Sequence, residues 1–428
     1  MIKWILFVFC IIEIAYDFIL MYIANVQRKK KLPEEVADVY DANQYKTFME
    51  YKKDQRELSF LEKTSSLLVD MVILFTPFFI YKESWFGKNP YRLFVGSFLI
   101  LTGVNAIFDF GFEWISTFKI EEKYGKNKKT FQEFLKDFLI ENGLNIVTSL
   151  GLFLPIIYVC EHLVDWTHNF SISYSQSFLL ALGLLILFGL ILLVFAILSI
   201  VALKKQYTFK ELEEGELRSK IIDLMKDSKK KVKKIEVYNE SKKSNSKNAF
   251  VLKLLWFRQI GIADNFLLKN SQRELLGVLA HEVGHLKHKR NILNYMLYGL
   301  GICIFLLIVV LIPHGGLFID FSARIRMAFG LHQSAYYVYF LVYSMFLGPI
   351  MYFIGLFKMY ATRVEEFEAD QNAVKEGYGE DLITLFKEIS KDELIDVNPS
   401  IWIERLTYDH PGMYRRICAI RKGNKNEF

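Results

Sequence analysis

The sequence predicts a mainly α-helical, polytopic membrane protein that also carries a small β-sheet. Of its 428 residues, 52% are hydrophobic and 16% aromatic, and this composition is too apolar for an ordinary soluble protein of that length. Apolar stretches of about twenty residues, the length that spans a bilayer as a helix, recur along the chain. A long polar insertion at 204–290 interrupts them, and it contains three short β-like runs.

Seven stretches have the length and composition expected of a transmembrane helix. They are 4–24, 64–82, 92–114, 138–160, 178–203, 291–312 and 335–358. The first stretch is followed at once by Arg28 and three lysines, which is typical of a retained anchor and not of a cleaved signal peptide. The first, third and fifth loops and the C-terminal tail are basic, so they are expected in the cytoplasm, with the N-terminus outside or lumenal.

This pattern divides the chain into four regions: five spans with two cytoplasmic loops, the polar insertion, two further spans, and a C-terminal region. Their predicted limits are 1–203, 204–290, 291–361 and 362–428. Within the first region, the charged run at 25–63 predicts an amphipathic helical hairpin. The membrane would be that of the endoplasmic reticulum in a eukaryote and the cell membrane in a prokaryote.

Charge and cysteine content exclude several other classes of protein. The net charge of +6 is modest and follows from membrane topology, and no basic helix with interleaved aromatic residues indicates nucleic-acid binding. The cysteines are scattered and form no CxxC pair, which argues against both a thiolate zinc site and a disulfide framework. They are Cys10, Cys160, Cys303 and Cys418.

Within the polar insertion, the spacing of charged residues predicts a helix over Phe209–Lys234. Three β-like runs follow, at Lys234–Tyr238, Asn248–Leu255 and Gln259–Ala263, and Ser271–His288 is predicted as a helix with Ser271 at its N-cap.

The segment from Asn248 to Val251 is a candidate edge strand, to which an extended peptide could add by main-chain hydrogen bonds. A sheet that only supports the neighbouring helix explains the same features equally well.

The last of these helices contains His281, Glu282 and His285 in an HExxH arrangement. The i, i+4 spacing places both imidazoles on one helix face, where they can bind a single tetrahedral zinc ion. Glu282 lies roughly 100° further round the helix, within reach of a zinc-bound water whose proton it could take. The alternative is a surface helix with two unrelated histidines.

A catalytic zinc site normally takes three protein ligands, so one more is required. The seventh span returns to the cytoplasmic face near residue 360, which brings Glu365, Glu366 and Glu368 close to the histidines. Asp370 is one helical turn after Glu366, so this pair could supply a ligand and an acceptor for the ring N–H of a zinc histidine. A solvated acidic helix start remains the alternative reading of this segment.

Together these residues resemble the type I CAAX prenyl proteases, which are seven-span integral-membrane zinc metallopeptidases. The resemblance covers nearly the whole chain. Its motifs are Leu32-Pro33-Glu34, the block from Ile120 to Asn127, Phe134 to Asp137, Asn248-Ala249, Asp264-Asn265, the HEVGH helix, the segment Arg363-x-x-Glu366-x-x-Ala369-Asp370, and His410-Pro411.

The resemblance implies that Glu366 is the third zinc ligand and that His410 contacts the bound peptide or the developing oxyanion. It also implies that Asn248 and Ala249 bind substrate and that Arg363 supports the site through ion pairing. One zinc ion per chain is implied. The seven helices would enclose a water-filled chamber, which would explain the ionisable residues within or beside the spans. These are Glu13, Asp17, Asp70, Asp109 and Glu113, although paired charges between helices would also explain Glu13 and Asp17.

The sequence therefore predicts a membrane-embedded zinc endopeptidase that cleaves near the C-terminus of CAAX-type peptides or proteins, whether or not they carry a lipid. Membrane lipid but no nucleic acid is expected as a partner, and the chain is expected to be a monomer. Two alternatives stay open: a quality-control zinc peptidase of the heat-shock type, and a noncatalytic membrane scaffold. The bond cleaved and the role of His288 are not predicted.

Overall fold

Helices account for most of the chain in the computed structural model. It describes residues 1–422 apart from 79–80, 82–84, 88, 170–172, 227–233, 244–247, 255–256, 288–295, 297–298, 302–315 and 332–335. The long helices described in the first half are α1 (Ile2–Arg28), α2 (Ala42–Phe75), α3 (Pro90–Ile115), α4 (Phe131–Asn169) and α5 (Tyr174–Gln206). Side-chain oxygens of Asp41, Asn89 and Ser173 cap α2, α3 and α5, which pairs amide groups that a helix start leaves unpaired.

Among the described residues, four stretches are long and apolar enough to cross a membrane: Ile2–Arg28, Pro90–Glu121, Phe131–Pro155 and Leu185–Gln206. They correspond to the first, third, fourth and fifth predicted spans. The second predicted span begins within α2, and the seventh lies within a helix at Tyr336–Lys375. The sixth lies almost wholly outside the described residues. The prediction of a mainly helical membrane protein with a small sheet is confirmed.

The sheet has the described strands β1 (Phe209–Glu211), β2 (Lys234–Tyr238), β3 (Ala249–Leu254) and β4 (Phe257–Ala263). Their spatial order is β1-β2-β4-β3; the central β2 and β4 are parallel, and the outer strands pair with them antiparallel. The three predicted strands are confirmed to within two residues at each end, and β3 lies at one end of the described sheet.

The predicted helix over Phe209–Lys234 is wrong at both ends. Phe209–Glu211 is β1 and Lys234 begins β2, and among the described residues of this range Glu216–Leu224 is helical (α6). Pairing with β2 decides this segment, because Leu212 N–H donates to the Ile235 carbonyl at 2.9 Å and β1 thereby gains ladder hydrogen bonds. Tertiary pairing outweighs the weak local preference that charge spacing expresses.

The predicted helical hairpin over 25–63 is also wrong. Glu34–Val36 forms a single 3₁₀ turn, and α2 begins at Ala42 and continues without interruption into the second predicted span. The capping box between Asp41 and Gln44 fixes the start of α2.

After the sheet come α7 (Asp264–Lys269), α8 (Gln272–Lys287), α9 (Gly316–Phe329), α10 (Tyr336–Lys375), α11 (Gly379–Asp392), α12 (Ile401–Thr407) and α13 (Met413–Lys422). Ser271 caps α8 as predicted, and its own amide donates to the Glu274 carboxylate at 2.8 Å. Helix α8 packs against α10, α11, α6 and β3 and so lies at the centre of the part of the chain that contains the sheet. Its apolar face is almost fully buried at Leu276, Leu279 and Val283.

The hydrophobic core around α8 also contains residues from the first two loops predicted to be cytoplasmic, including Val36, Phe48 and Ile120. Two hydrogen bonds attach the second loop to α2: Tyr51 to Glu121, and Tyr124 to Asp54 at 2.8 Å. The loop motifs behind the family resemblance therefore join the membrane helices to the core that positions α8.

Candidate metal centre and active site

Helix α8 presents His281 and His285 on the face that meets α10. Their Nε2 atoms are 3.3 Å apart, and the ring of His281 is buried with 7% exposure. Glu282, the next residue along the helix, is half-buried, and its charge acts on the Arg416 guanidinium. The HExxH spacing thus produces the geometry expected of two neighbouring ligands on one helix face.

Helix α10 approaches α8 closely because the fourth residue of the motif is glycine. A Cβ atom on Gly284 would lie only 2.8 Å from the Ala369 Cα. Beside this contact, Asn372 Nδ2 donates to the Ala280 carbonyl at 2.7 Å and fixes the register of the two helices. This register brings Glu366, one turn before Ala369, beside the two histidines.

Replacing Gly284 with alanine should force the two helices apart, because the nearest atom is backbone and cannot rotate away. We expect a loss of unfolding free energy of about 1–3 kcal/mol, as for overpacking of other cores, together with weaker metal binding. Thermal unfolding and metal content of the purified variant would measure both effects. Gly355→Ala is the matched control on α10, since the described structure shows open space around Gly355. Equal losses in both variants would contradict the close-contact explanation.

Glu366 completes a three-residue cluster with the histidines. Its Oε2 lies 3.5 Å from His281 Nε2, and its Oε1 lies 3.2 Å from His285 Nε2. The ligand atoms of these residues all lie within 4.8 Å of one another, and in the described structure no other group of His, Cys, Asp or Glu converges in this way. Glu365 and Glu368, the other candidates on α10, do not belong to the cluster.

The chemistry of this cluster fits a divalent metal ion. Glu366 is 4% exposed, and its Oε2 is buried without a hydrogen-bond partner, which is costly unless another group satisfies it. Two imidazole nitrogens and one carboxylate oxygen form a donor set that zinc uses in catalytic sites, with the fourth position open to water or substrate.

Asp370 orients the first of these histidines. The completely buried Asp370 accepts a hydrogen bond from His281 Nδ1 at 2.9 Å, which leaves Nε2 directed at Glu366. This is the arrangement that fixes the tautomer of a metal-binding histidine. Arg416 holds Asp370 in turn, with Nε and Nη2 at 2.9 and 2.7 Å from its two oxygens.

Electrostatics keep the carboxylates of this cluster charged. Burial raises the pKa of Glu366, but the neighbouring His281 and His285 and the charge of Arg416 hold it far below its usual value. Burial likewise raises the pKa of Asp370, and Arg416 and His281 more than compensate, so it is lowered. Burial lowers the pKa of His281, but Asp370 and Glu366 outweigh burial and raise it to about 9. A metal ion would have to displace this proton.

The structure brings His410 to the same cluster from the loop between α12 and α13. Its Nε2 lies 3.4 Å from Glu366 Oε1, and its Nδ1 lies 2.8 Å from Asp409 Oδ1. The ring is 57% exposed, so it borders the open side of the site.

Arg363 does not make the predicted ion pair with the site. Its Nη1 donates instead to the backbone carbonyls of Glu404 and Tyr408, at 3.1 and 2.6 Å, and so supports the loop that carries His410.

The charge of Asp370 is balanced by Arg416, which sequence reasoning assigned only to a basic tail. The sequence did contain a signal that Arg416 is buried. It interrupts the apolar face that Met413, Ile417 and Ile420 form on α13, and a buried cation requires a partner.

The predicted substrate strand lies beside α8 at the end of the described sheet. Asn248 directs its carbonyl at β4, where it accepts the Ala263 N–H at 2.9 Å. Because antiparallel strands alternate, the backbone N–H and C=O of Ala249 and Val251 face away from β4, toward the open edge.

Of the other residues singled out, His288 lies outside the described residues. Asp17 pairs with Lys63 at 2.7 Å between α1 and α2. Asp70 and Asp109 line a polar cavity of about 320 Å³ between α2 and α3, to which Glu62 also contributes. Asp17 thus pairs with another charge, and Asp70 and Asp109 line a cavity.

Comparisons with known proteins cover nearly the whole chain. A family model described as CAAX prenyl protease N-terminal, five membrane helices, matches residues 22–211, and the model of peptidase family M48 matches residues 211–424. The probable CAAX prenyl protease 1 of Schizosaccharomyces pombe is 28% identical and aligns over 92% of this chain and 82% of its own. The CAAX prenyl protease 1 homolog of Arabidopsis thaliana is 25% identical over 91% and 90% of the two chains. The crystal structure of S. mikatae Ste24p superimposes with a TM-score of 0.79 over 98% of both chains at 20% identity, so the fold is shared.

Proposed function

Since this chain belongs to peptidase family M48 and carries the CAAX prenyl protease N-terminal region, it is a membrane metalloprotease, and we propose that it is a zinc endopeptidase cleaving near the C-terminus of CAAX-type substrates. In such substrates a cysteine, which a prenyl group can modify, stands four residues from the end. The membership sets aside the noncatalytic scaffold, and the N-terminal match over 22–211 favours the CAAX type over the heat-shock type.

The convergence of His281, His285 and Glu366 carries this proposal. Glu366 lies on a different helix from the two histidines and far from them in the sequence, and one of its buried carboxylate oxygens has no hydrogen bond. When bound there, zinc would supply a Lewis acid that polarises the scissile carbonyl and acidifies a water molecule.

The remaining steps belong to side chains of the protein. Glu282, adjacent to His281, takes the proton of the attacking water and later delivers it to the leaving amine. His410, at the open side of the cluster, contacts the bound peptide or stabilises the negative charge that develops on its carbonyl oxygen. Arg416 and Asp370 hold His281 in the tautomer that exposes Nε2.

The peptide would bind along β3. The N–H and C=O groups of Ala249 and Val251 face the open edge, so an extended substrate could pair with them as an additional strand. Asn248 is exposed at the start of this edge, where its side chain could hold the peptide in register. The basic loops of the chain support a position for this site on the cytoplasmic side of the membrane.

We expect the purified protein, in detergent or nanodiscs, to contain one zinc ion per chain and to cleave a CAAX-type peptide. 1,10-Phenanthroline should abolish cleavage, and added Zn²⁺ should restore it where Mg²⁺ does not, because Mg²⁺ prefers an all-oxygen site. Farnesylated and unmodified versions of one peptide, compared by mass spectrometry of the products, would show whether the lipid is required. Cleavage that continues in metal-free protein would refute the proposal.

A further inference from the structure

The side chains at the tip of the loop that carries His410 are exposed, whereas Pro411 and Gly412 at its end are buried. The His410 ring is 57% exposed, and the adjacent Asp409 is 68% exposed. The distance of 3.4 Å between His410 and Glu366 must therefore be maintained by the backbone of the loop and by whatever anchors that backbone.

Glu404, on α12, is buried at the base of this loop with 3% exposure. Its Oε2 lies 3.3 Å from Arg415 Nε, on the far side of His410 in the sequence. The same oxygen lies against Gly412, where a Cβ atom would come within 2.8 Å of it. One carboxylate thus contacts Gly412, directly after the His410-Pro411 pair, and Arg415 at the start of α13.

Helix α10, which carries the proposed ligand Glu366, also contacts the base of this loop. Arg363, one turn before Glu366, donates to the carbonyls of Glu404 and Tyr408, and its charge also faces the Glu404 carboxylate. Glu404 therefore lies between two arginines, one from α10 and one from α13. A buried carboxylate between two cations is stable only while both remain in place.

We propose that Glu404 is a positioning residue for the peptidase reaction, which locks the loop from Tyr408 to Gly412 so that His410 stays beside Glu366. This inference rests on the proposed function of His410. Glu404 itself does not touch the metal ligands. Its action would pass through Gly412 and Arg415, and removal of its charge would release one of the contacts that hold the end of the loop.

The test uses Glu404→Gln in the full-length protein, with Arg415→Gln as a second variant that leaves the buried carboxylate in place. We expect kcat to fall by roughly tenfold to a hundredfold, less than or comparable to the loss of one oxyanion-hole donor. KM should change much less, and zinc content should stay at the wild-type value. Glu393→Gln is the matched control. Glu393 also lies in the C-terminal region, and its substitution removes a 2.9 Å ion pair with Lys126. The kcat of this variant should be unchanged.

A double-mutant cycle with His410→Ala separates positioning from general destabilisation. If Glu404 acts through His410, Glu404→Gln should have no further effect on kcat once His410 is gone, whereas multiplied losses would overturn the proposal.

Hydrogen exchange of the 408–412 amides, measured by mass spectrometry, gives a readout that needs no activity. Faster exchange in Glu404→Gln than in Glu393→Gln is expected, and equal exchange would overturn the proposal. A wild-type protein that cleaves none of the peptides would refute the proposed function instead, and the exchange experiment would still decide whether Glu404 holds the loop.

Discussion

Glu282→Gln should lower kcat by roughly 10²- to 10⁴-fold, the range that general acid–base catalysis typically contributes, while zinc remains bound. Glutamine keeps the size of the side chain, but its amide cannot accept a proton from water or deliver one to the leaving amine. The metal should be unaffected, because Glu282 is not part of the cluster that His281, His285 and Glu366 form. Peptide cleavage at saturating substrate and zinc content by mass spectrometry would be measured on the same preparation.

Glu376→Gln serves as the control for this change. Glu376 is an exposed glutamate beside α8, where it pairs with Lys287 at 2.7 Å, and it is not part of the metal cluster. Its variant should cleave as the wild type does. A Glu282→Gln protein with full zinc and wild-type kcat would eliminate Glu282 as the base.

The parts of the site that the sequence could predict are those with a local signal. His281 and His285 follow from a helical spacing, and the Ser271 N-cap follows from a capping pattern within four residues. Strands β2, β3 and β4 were predictable because β-branched and aromatic residues stand between turn-forming segments. The choice of Glu366 over Glu365 and Glu368 had one weak local signal, the Asp370 one turn later, and otherwise depended on the family resemblance, since all three glutamates lie near the right position on α10.

Long-range contacts decide what local patterns leave open. The rotation of α10 is fixed by the close approach of Ala369 to Gly284 and by the Asn372 hydrogen bond to Ala280, and neither contact is visible in the spacing of residues. The partner of Asp370 was missed for the same reason: Arg416 lies 46 residues later in the chain and reaches the site only because α13 packs against α10. Strand β1 was read as helix because its partner, β2, lies more than twenty residues away.

Glu366→Gln should remove zinc from the purified protein and abolish cleavage with it. Loss of a hydrogen-bond partner to a metal ligand typically lowers metal affinity by roughly 10- to 100-fold, and loss of a ligand charge should lower it further. The substitution also leaves Arg416 and the two histidines facing a neutral amide at a position where the native residue is only 4% exposed. Metal analysis after gel filtration would measure the loss, and added zinc should raise the Tm of the wild type but not of the variant.

Two neighbouring glutamates on α10 provide matched controls for this prediction. Glu365→Gln and Glu368→Gln remove the same charge from the same helix within two residues of Glu366, and neither residue belongs to the metal cluster. Both variants should keep one zinc ion per chain and respond to added zinc as the wild type does. Because the three changes are chemically identical, only the direction of the side chain can explain a difference among them. Zinc loss in Glu365→Gln or Glu368→Gln, with zinc retained in Glu366→Gln, would show that α10 faces α8 with a different rotation.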